Sequence, residues 1–269
     1  MAKFEVFIPS VDNTKGIIVL ADGKNYVEAL KKALVVKGLA DCMRHIIIDS
    51  WENGLLFVTD TDSGMHFYIR EFNPDNKTNI TDFVMRKEAA PAASEVGGRD
   101  DLLADLFLEI SQAREMEQSQ GIDFFLDLTL KYLPCEIGFF AKSDLSTTDM
   151  EFVACRGPKA QSALGMKVKM GQGLLGFSAK YGCYMAVGDA RKDSGFFSDI
   201  SQKIGCDTNS FFCIPVKSPE NNITFGALEL INKKESSHFD AYDMEVVRFI
   251  SENMGKFFHN IWARIDNVF

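Results

Sequence analysis

Two β-rich apolar runs, Ser210 to Val216 and Ile223 to Ile231, flank the polar turn Ser218-Pro219-Glu220-Asn221-Asn222, and a long apolar stripe follows them directly. Short apolar runs around a turn rich in Pro, Asn and Ser predict an antiparallel hairpin. The stripe runs through Val246, Val247, Ile250, Met254, Phe257, Phe258, Ile261 and Ile265. Its three-and-four spacing predicts one long helix with a wide buried face. Asp240 suits the N-cap, with Asp243 at the third helical position, where the helix dipole favours a carboxylate. A chain with this segment must lay a long helix against a sheet that contains the hairpin.

Further upstream, Phe4–Ile8 and Gly16–Leu20 read as strands and Asn25–Lys37 as an amphipathic helix ending at Gly38. Ile46–Asp49, Gly54–Thr59 and Met65–Glu71 read as a three-strand meander around the turn signals Glu52-Asn53-Gly54 and Asp62-Ser63-Gly64. A small α+β domain of order ββαβββ is therefore expected over residues 1–72. Residues 73–100, with Pro91, Gly97 and Gly98 among small polar residues, read as a flexible linker, with a short strand conceivable at Thr81–Met85. From Asp101, Leu102, Leu103, Leu106, Phe107 and Ile110 form a helical stripe, and a second helical run spans Ile122–Leu133.

Composition excludes several classes. A formal charge of -9 argues against non-specific nucleic-acid binding, which needs a basic face. No apolar run is long enough for a membrane span and the N-terminus lacks a signal-peptide pattern, so a soluble cytoplasmic protein is expected. Cys42, Cys135, Cys155, Cys183, Cys206 and Cys213 are widely spaced without a CxxC pair, as expected for reduced and mostly buried thiols. His45, His66, His238 and His259 lack the spacing of a metal site, and no hydrolase, metalloprotease, phosphate-loop or kinase signature occurs. Neither a catalytic residue nor a metal ligand is expected.

The C-terminal residues 101–269 resemble a GAF domain, the small-molecule-sensing module of cyclic-nucleotide phosphodiesterases and many bacterial signalling proteins. The resemblance rests on Gly171-Gln172-Gly173-Leu174-Leu175-Gly176 ahead of a short helix, Val187-Gly188-Asp189-Ala190-Arg191 with Asp193, Phe196 and Phe197, the strand Phe212–Val216, and Phe225–Lys233. Asn232, Lys233, Phe239 and Asp243 match the signature of the cyclic-nucleotide-binding branch, while Met244 stands at its final acidic position. The resemblance implies an α+β fold, a central antiparallel sheet with a helix bundle on one face, and a Lys233–Asp243 ion pair beneath a pocket on the other.

It also implies a pocket walled by residues 164–180 and 188–210. There Asp189, Arg191, Asp193, Phe196, Phe197, Thr208 and Asn209 have the chemistry to hold a purine and a phosphate. A cyclic nucleotide is the implied ligand. A parallel homodimer through helices 101–133 and 243–265 is implied too, consistent with apolar Phe258 and Trp262 beyond what one sheet face would cover. The expected function is a non-catalytic sensor that passes a ligand signal to residues 1–72 or to a partner protein, since the sequence stops just after the last helix. Two alternatives stand beside it. One is a ligand-free scaffold whose pocket is filled by some of the 23 Phe and 11 Met side chains. The other is a free methionine sulfoxide reductase, with Cys206 and Cys183 as thiols, although Gly173–Gly176 replaces a glycine-flanked cysteine of that family.

Overall fold

The computed structural model describes residues 1–9, 16–50, 54–74, 80, 99–188, 204–234, 236 and 238–266. The chain divides into two compact units, Met1–Gly97 and Gly98–Phe269. The expected strand at Thr81–Met85 and most of the expected linker lie outside the described residues.

In the first unit, β1 (Ala2–Ile8) pairs antiparallel with β2 (Ile17–Gly23), Ala2 opposite Gly23 and Ile8 opposite Ile17. Helix α1 (Tyr26–Val36) starts where the Asn25 side chain accepts the Glu28 N–H at 2.9 Å, satisfying one of the free donors of the first turn. It buries Val27, Leu30, Ala33 and Leu34. A meander of β3 (His45–Ser50), β4 (Leu56–Asp60) and β5 (His66–Glu71) completes the order β2-β1-β5-β4-β3. The expected ββαβββ succession is present. Phe7, Phe57 and Tyr68 meet edge-on within one buried cluster with Leu55 and Ile80. Glu5 and Arg70 face each other across β1 and β5, Arg70 Nε donating to Glu5 Oε2 at 2.6 Å.

The second unit opens with α2 (Arg99–Ser111) and α3 (Gln118–Tyr132). Helix α3 begins in a capping box between Glu117 and Gln120, each side chain accepting the other's backbone N–H. Then come β6 (Cys135–Ser143), β7 (Asp149–Arg156), the short β8 (Lys167–Lys169), α4 (Gly173–Tyr181) and β9 (Tyr184–Gly188). The hairpin of β10 (Phe211–Lys217) and β11 (Thr224–Lys233) and the long α5 (Ala241–Asp266) follow. Within this unit the antiparallel strand order is β9-β10-β11-β6-β7-β8.

One sequence expectation shifts. The glycine run does not all precede the short helix, because α4 starts at Gly173 and Gly176 lies inside it. A Cβ at Gly176 would come within 2.3 Å of the Lys169 carbonyl oxygen, so the glycine allows the helix to start hard against β8.

Strand alternation divides the sheet into two chemically distinct faces. One carries Gly138, Phe140, Leu228 and Leu230, paired across β6 and β11. This is the helix side: a Cβ at Gly138 would meet Leu126 and Leu130 of α3, and Phe140 stacks on Phe258 of α5 at 5.7 Å. The opposite face carries Phe139, Glu229 and Cys213, which lie abreast across β6, β11 and β10.

Candidate functional site

The end of β11 and the start of α5 are joined by polar contacts that account for the choice of residues there. Asn232 has φ 59, in the left-handed region that Asn tolerates better than most residues. Its Oδ1 accepts the Asn209 N–H at 2.7 Å and the Ser210 N–H at 3.4 Å. Its Nδ2 donates to the Asp207 carbonyl and to Glu136 Oε2, each at 2.8 Å. One buried amide therefore fixes the entry to β10, the beginning of β6 and the end of β11.

Lys233 Nζ lies 2.5 Å from Asp243 Oδ2, with side-chain exposures of 13% and 10%. Lys233 also sits 5.7 Å over the Phe239 ring, which packs edge-on against Phe212. Asp240 and Asp243 cap reciprocally, each carboxylate accepting the other's backbone N–H at 2.9 and 3.0 Å. Burial raises the Asp243 carboxyl above its ordinary value despite the lowering effect of Lys233 and the Asp240 N–H. Met244 is 2% exposed, so the side chain at the departing position of the signature occupies a dry site where a carboxylate would need a buried partner.

Thr208 and Asn209 lie beside this junction. Thr208 is buried, and its Oγ1 has no hydrogen-bond partner among the described residues. Asn209 is held through its backbone by Asn232. Asp189, Arg191, Asp193, Phe196 and Phe197 lie outside the described residues, as does most of the 188–210 wall.

Sequence reasoning missed Glu229. It sits in the middle of β11 at 1% exposure, with Phe139 opposite on β6 and Cys213 opposite on β10. A carboxylate in such a place costs several kcal/mol (roughly) unless it is compensated, and Glu229 is not without an interaction of its own there. The only sequence signal is the acid itself, the one charge within Phe225–Asn232.

None of the six cysteines is in a disulfide; four are buried, and Cys42 and Cys206 are half-buried. Burial pushes Cys135 up to about 12 and Cys155 up to about 11. The Cys206 thiol is raised by burial and then by Glu136 and Asp207, and that of Cys213 by burial and Glu229. Raised thiols are the reverse of what an attacking thiolate requires. Among the described residues no group of three or more His, Cys, Asp or Glu side chains is placed to hold a metal ion.

No family model matches the chain. It is 30% identical over 82 residues to the dual 3',5'-cyclic-AMP and -GMP phosphodiesterase 11A of Takifugu rubripes, covering 30% of this chain and 9% of that protein. It is 32% identical over 88 residues to a cGMP-specific 3',5'-cyclic phosphodiesterase of Drosophila melanogaster, covering 32% of this chain and 8% of that protein. The match thus spans less than a tenth of the length of these curated relatives. Among solved structures, the GAF domain of a phosphoenolpyruvate-protein phosphotransferase from Coxiella burnetii aligns with a TM-score of 0.51 at 17% identity. That alignment covers 64% of this chain and 100% of that domain.

The second unit has the fold of a GAF domain. Its long last helix settles a point of packing that the sequence left open. Phe258 is buried against Phe140 and Phe225, and the Trp262 ring stands edge-on to Phe225 at 6.0 Å. The apolar excess on α5 is therefore taken up largely inside this unit. Exposed apolar surface on the bundle lies instead at Phe107 and Leu108 of α2, 52% and 64% exposed. Among the described residues no helix is long and apolar enough to cross a membrane.

Proposed function

We propose that this chain is a non-catalytic regulatory protein whose GAF domain senses a small molecule, a cyclic nucleotide or a close relative, on the sheet face opposite the helix bundle. The observation that carries the reading is Glu229, a carboxylate at 1% exposure in the middle of that face. Such a group can read the donor edge of a purine or a ribose hydroxyl at a fixed angle. Buried Thr208, whose Oγ1 is left without a partner among the described residues, adds a second polar group near the end of the same strand. Asp189, Arg191, Asp193, Phe196, Phe197 and Asn209 complete the proposed pocket. Asn232, Lys233, Phe239 and Asp243 support it from behind.

The signal passes through a homodimer built from helices 101–133 and 243–265, and from there to the first unit or to a partner protein. Exposed Phe107 and Leu108 support that dimer surface. Six cysteines outside any disulfide support a reducing compartment, the cytoplasm. The raised Cys206 thiol weighs against the methionine sulfoxide reductase alternative.

The test is a thermal-shift titration of the full chain with cyclic mononucleotides, cyclic dinucleotides and a metabolite panel. A saturable rise with one compound, reduced by Glu229→Gln and by Arg191→Ala, is expected. Silence across the panel at millimolar concentrations would favour the ligand-free scaffold.

A further inference from the structure

We infer that the GAF domain carries a second ligand site on its helix side, beside the β6–β7 hairpin, that takes a small planar aromatic anion such as an aromatic carboxylate. A cavity of about 500 Å³ opens there, within the usual size range of small-molecule pockets. One wall is aromatic, formed by Phe225, Phe258 and Trp262. Phe225 tilts against Phe258 at 5.5 Å and meets Trp262 edge-on, so the rings hold one another in place. Phe225 and Phe258 are 7% and 2% exposed and form the backing, so the half-buried Trp262 ring is the one left to stack on a flat ligand.

The polar side of the cavity is rich in hydrogen-bond donors. Lys142 Nζ donates to Gln118 Oε1 at 3.0 Å, and no other hydrogen bond or ion pair reaches that ammonium among the described residues. Two of its three N–H groups are left over. Because Gln118 uses its oxygen for Lys142, its amide NH₂ remains a donor. Ser143, 5% exposed, also lines the cavity, and its Oγ has no partner among the described residues. A buried hydroxyl in that condition lacks the compensation that a ligand oxygen would supply.

The neighbouring carboxylates are already engaged. Asp144 accepts from both the backbone and the hydroxyl of Ser146, at 2.9 and 2.7 Å, and Glu151 lies 3.9 Å from Lys167. Both carboxylates keep their charge, and Glu151 stands opposite Lys142 across β6 and β7; the groups with hydrogen bonds left to give are the Lys142 ammonium and neutral donors next to an aromatic wall. An aromatic body with an anionic group satisfies both halves, whereas an aromatic cation would leave the donors unmet. These residues come from the start of α3, the β6–β7 hairpin, the start of β11 and the last turns of α5. An occupant would tie the end of α5 to the sheet, independently of any ligand on the Glu229 face.

The experiment is a ¹H–¹⁵N NMR titration of the full chain with 1-naphthoate, with 1-naphthamide as the neutral control. The chain has two tryptophans, Trp51 and Trp262, so the indole N–H region is simple and Trp262→Phe assigns it. The Trp262 signal should move saturably with naphthoate, with Trp51 as internal reference. Lys142→Met should weaken the affinity about tenfold, the loss of one charge-assisted contact. Ser143→Ala should weaken it in the same direction, and Glu229→Gln should leave it unchanged. Four results would each overturn the proposal: no saturable movement, equal response to naphthamide, binding indifferent to both Lys142→Met and Ser143→Ala, or binding abolished by Glu229→Gln. So would movement of the Trp262 signal on dilution alone, since a second copy of the chain would then cover the cavity.

Discussion

At Asp243, burial and charge pull in opposite directions. Burial favours the neutral acid, Lys233 and the Asp240 N–H favour the carboxylate, and the balance leaves the carboxyl raised above 3.8. Between 3.8 and its folded value the native state therefore holds more proton at this group than the unfolded chain does. The stability gained by that extra proton is fully present below 3.8 and is lost as pH rises through the folded value. Urea unfolding from pH 3 to 7 should show the stability of the unmodified chain falling relative to Asp243→Asn as pH rises through this window; an opposite trend would contradict the assignment. Removing the other partner acts differently. Lys233→Met leaves a buried carboxylate without its cation, and a loss of about 3 kcal/mol at pH 7 is expected in the same assay. A change within experimental error would mean that the pair contributes nothing. Asn232, Lys233, Phe239 and Asp243 were legible in the sequence because they match the signature of the cyclic-nucleotide-binding GAF branch. Glu229 was not, since one acid inside an apolar run reads as an outward-facing strand position. Only the pairing with β6 and β10 on either side shows that it is central and buried.

The elements follow the same logic of close packing. Helix α5 approaches β10 so closely that a Cβ at Gly255 would stand 2.0 Å from the Lys217 carbonyl oxygen. Helix α3 similarly receives the Phe257 ring directly over Gly121. Gly255→Ala must push α5 away from the sheet, and a destabilisation of about 2 kcal/mol is expected in urea unfolding even though alanine is the better helix former. A stabilised variant would show that the contact is looser than described. The hairpin, the last helix and the whole ββαβββ succession were readable because each has a clear period and turn residues at its ends. Strands β6 and β7 were not assigned from sequence. Cys135–Ser143 begins three residues after α3 ends and carries seven buried positions out of nine, so it lacks the alternation that marks a one-sided strand. Residues 189–203, where most of the expected pocket residues fall, lie outside the described residues.

For the whole molecule, a sensor must couple its ligand face to another surface, and the bundle is the surface available. With Phe258 buried inside the domain and Trp262 half-buried against it, the proposed homodimer depends on α2, where Phe107 and Leu108 are exposed. Multi-angle light scattering at tens of micromolar should give a dimer mass for the unmodified chain and a monomer mass for the Phe107→Ser, Leu108→Ser double variant. A monomer throughout would remove the dimer from the relay. The most direct measurement of the central claim is isothermal titration of the full chain with 3',5'-cyclic GMP and 3',5'-cyclic AMP, repeated on Glu229→Gln. The account predicts saturable binding of at least one of them at one site per chain, weakened about tenfold or more by the variant. Absence of binding at millimolar ligand, or binding that Glu229→Gln leaves untouched, would contradict it.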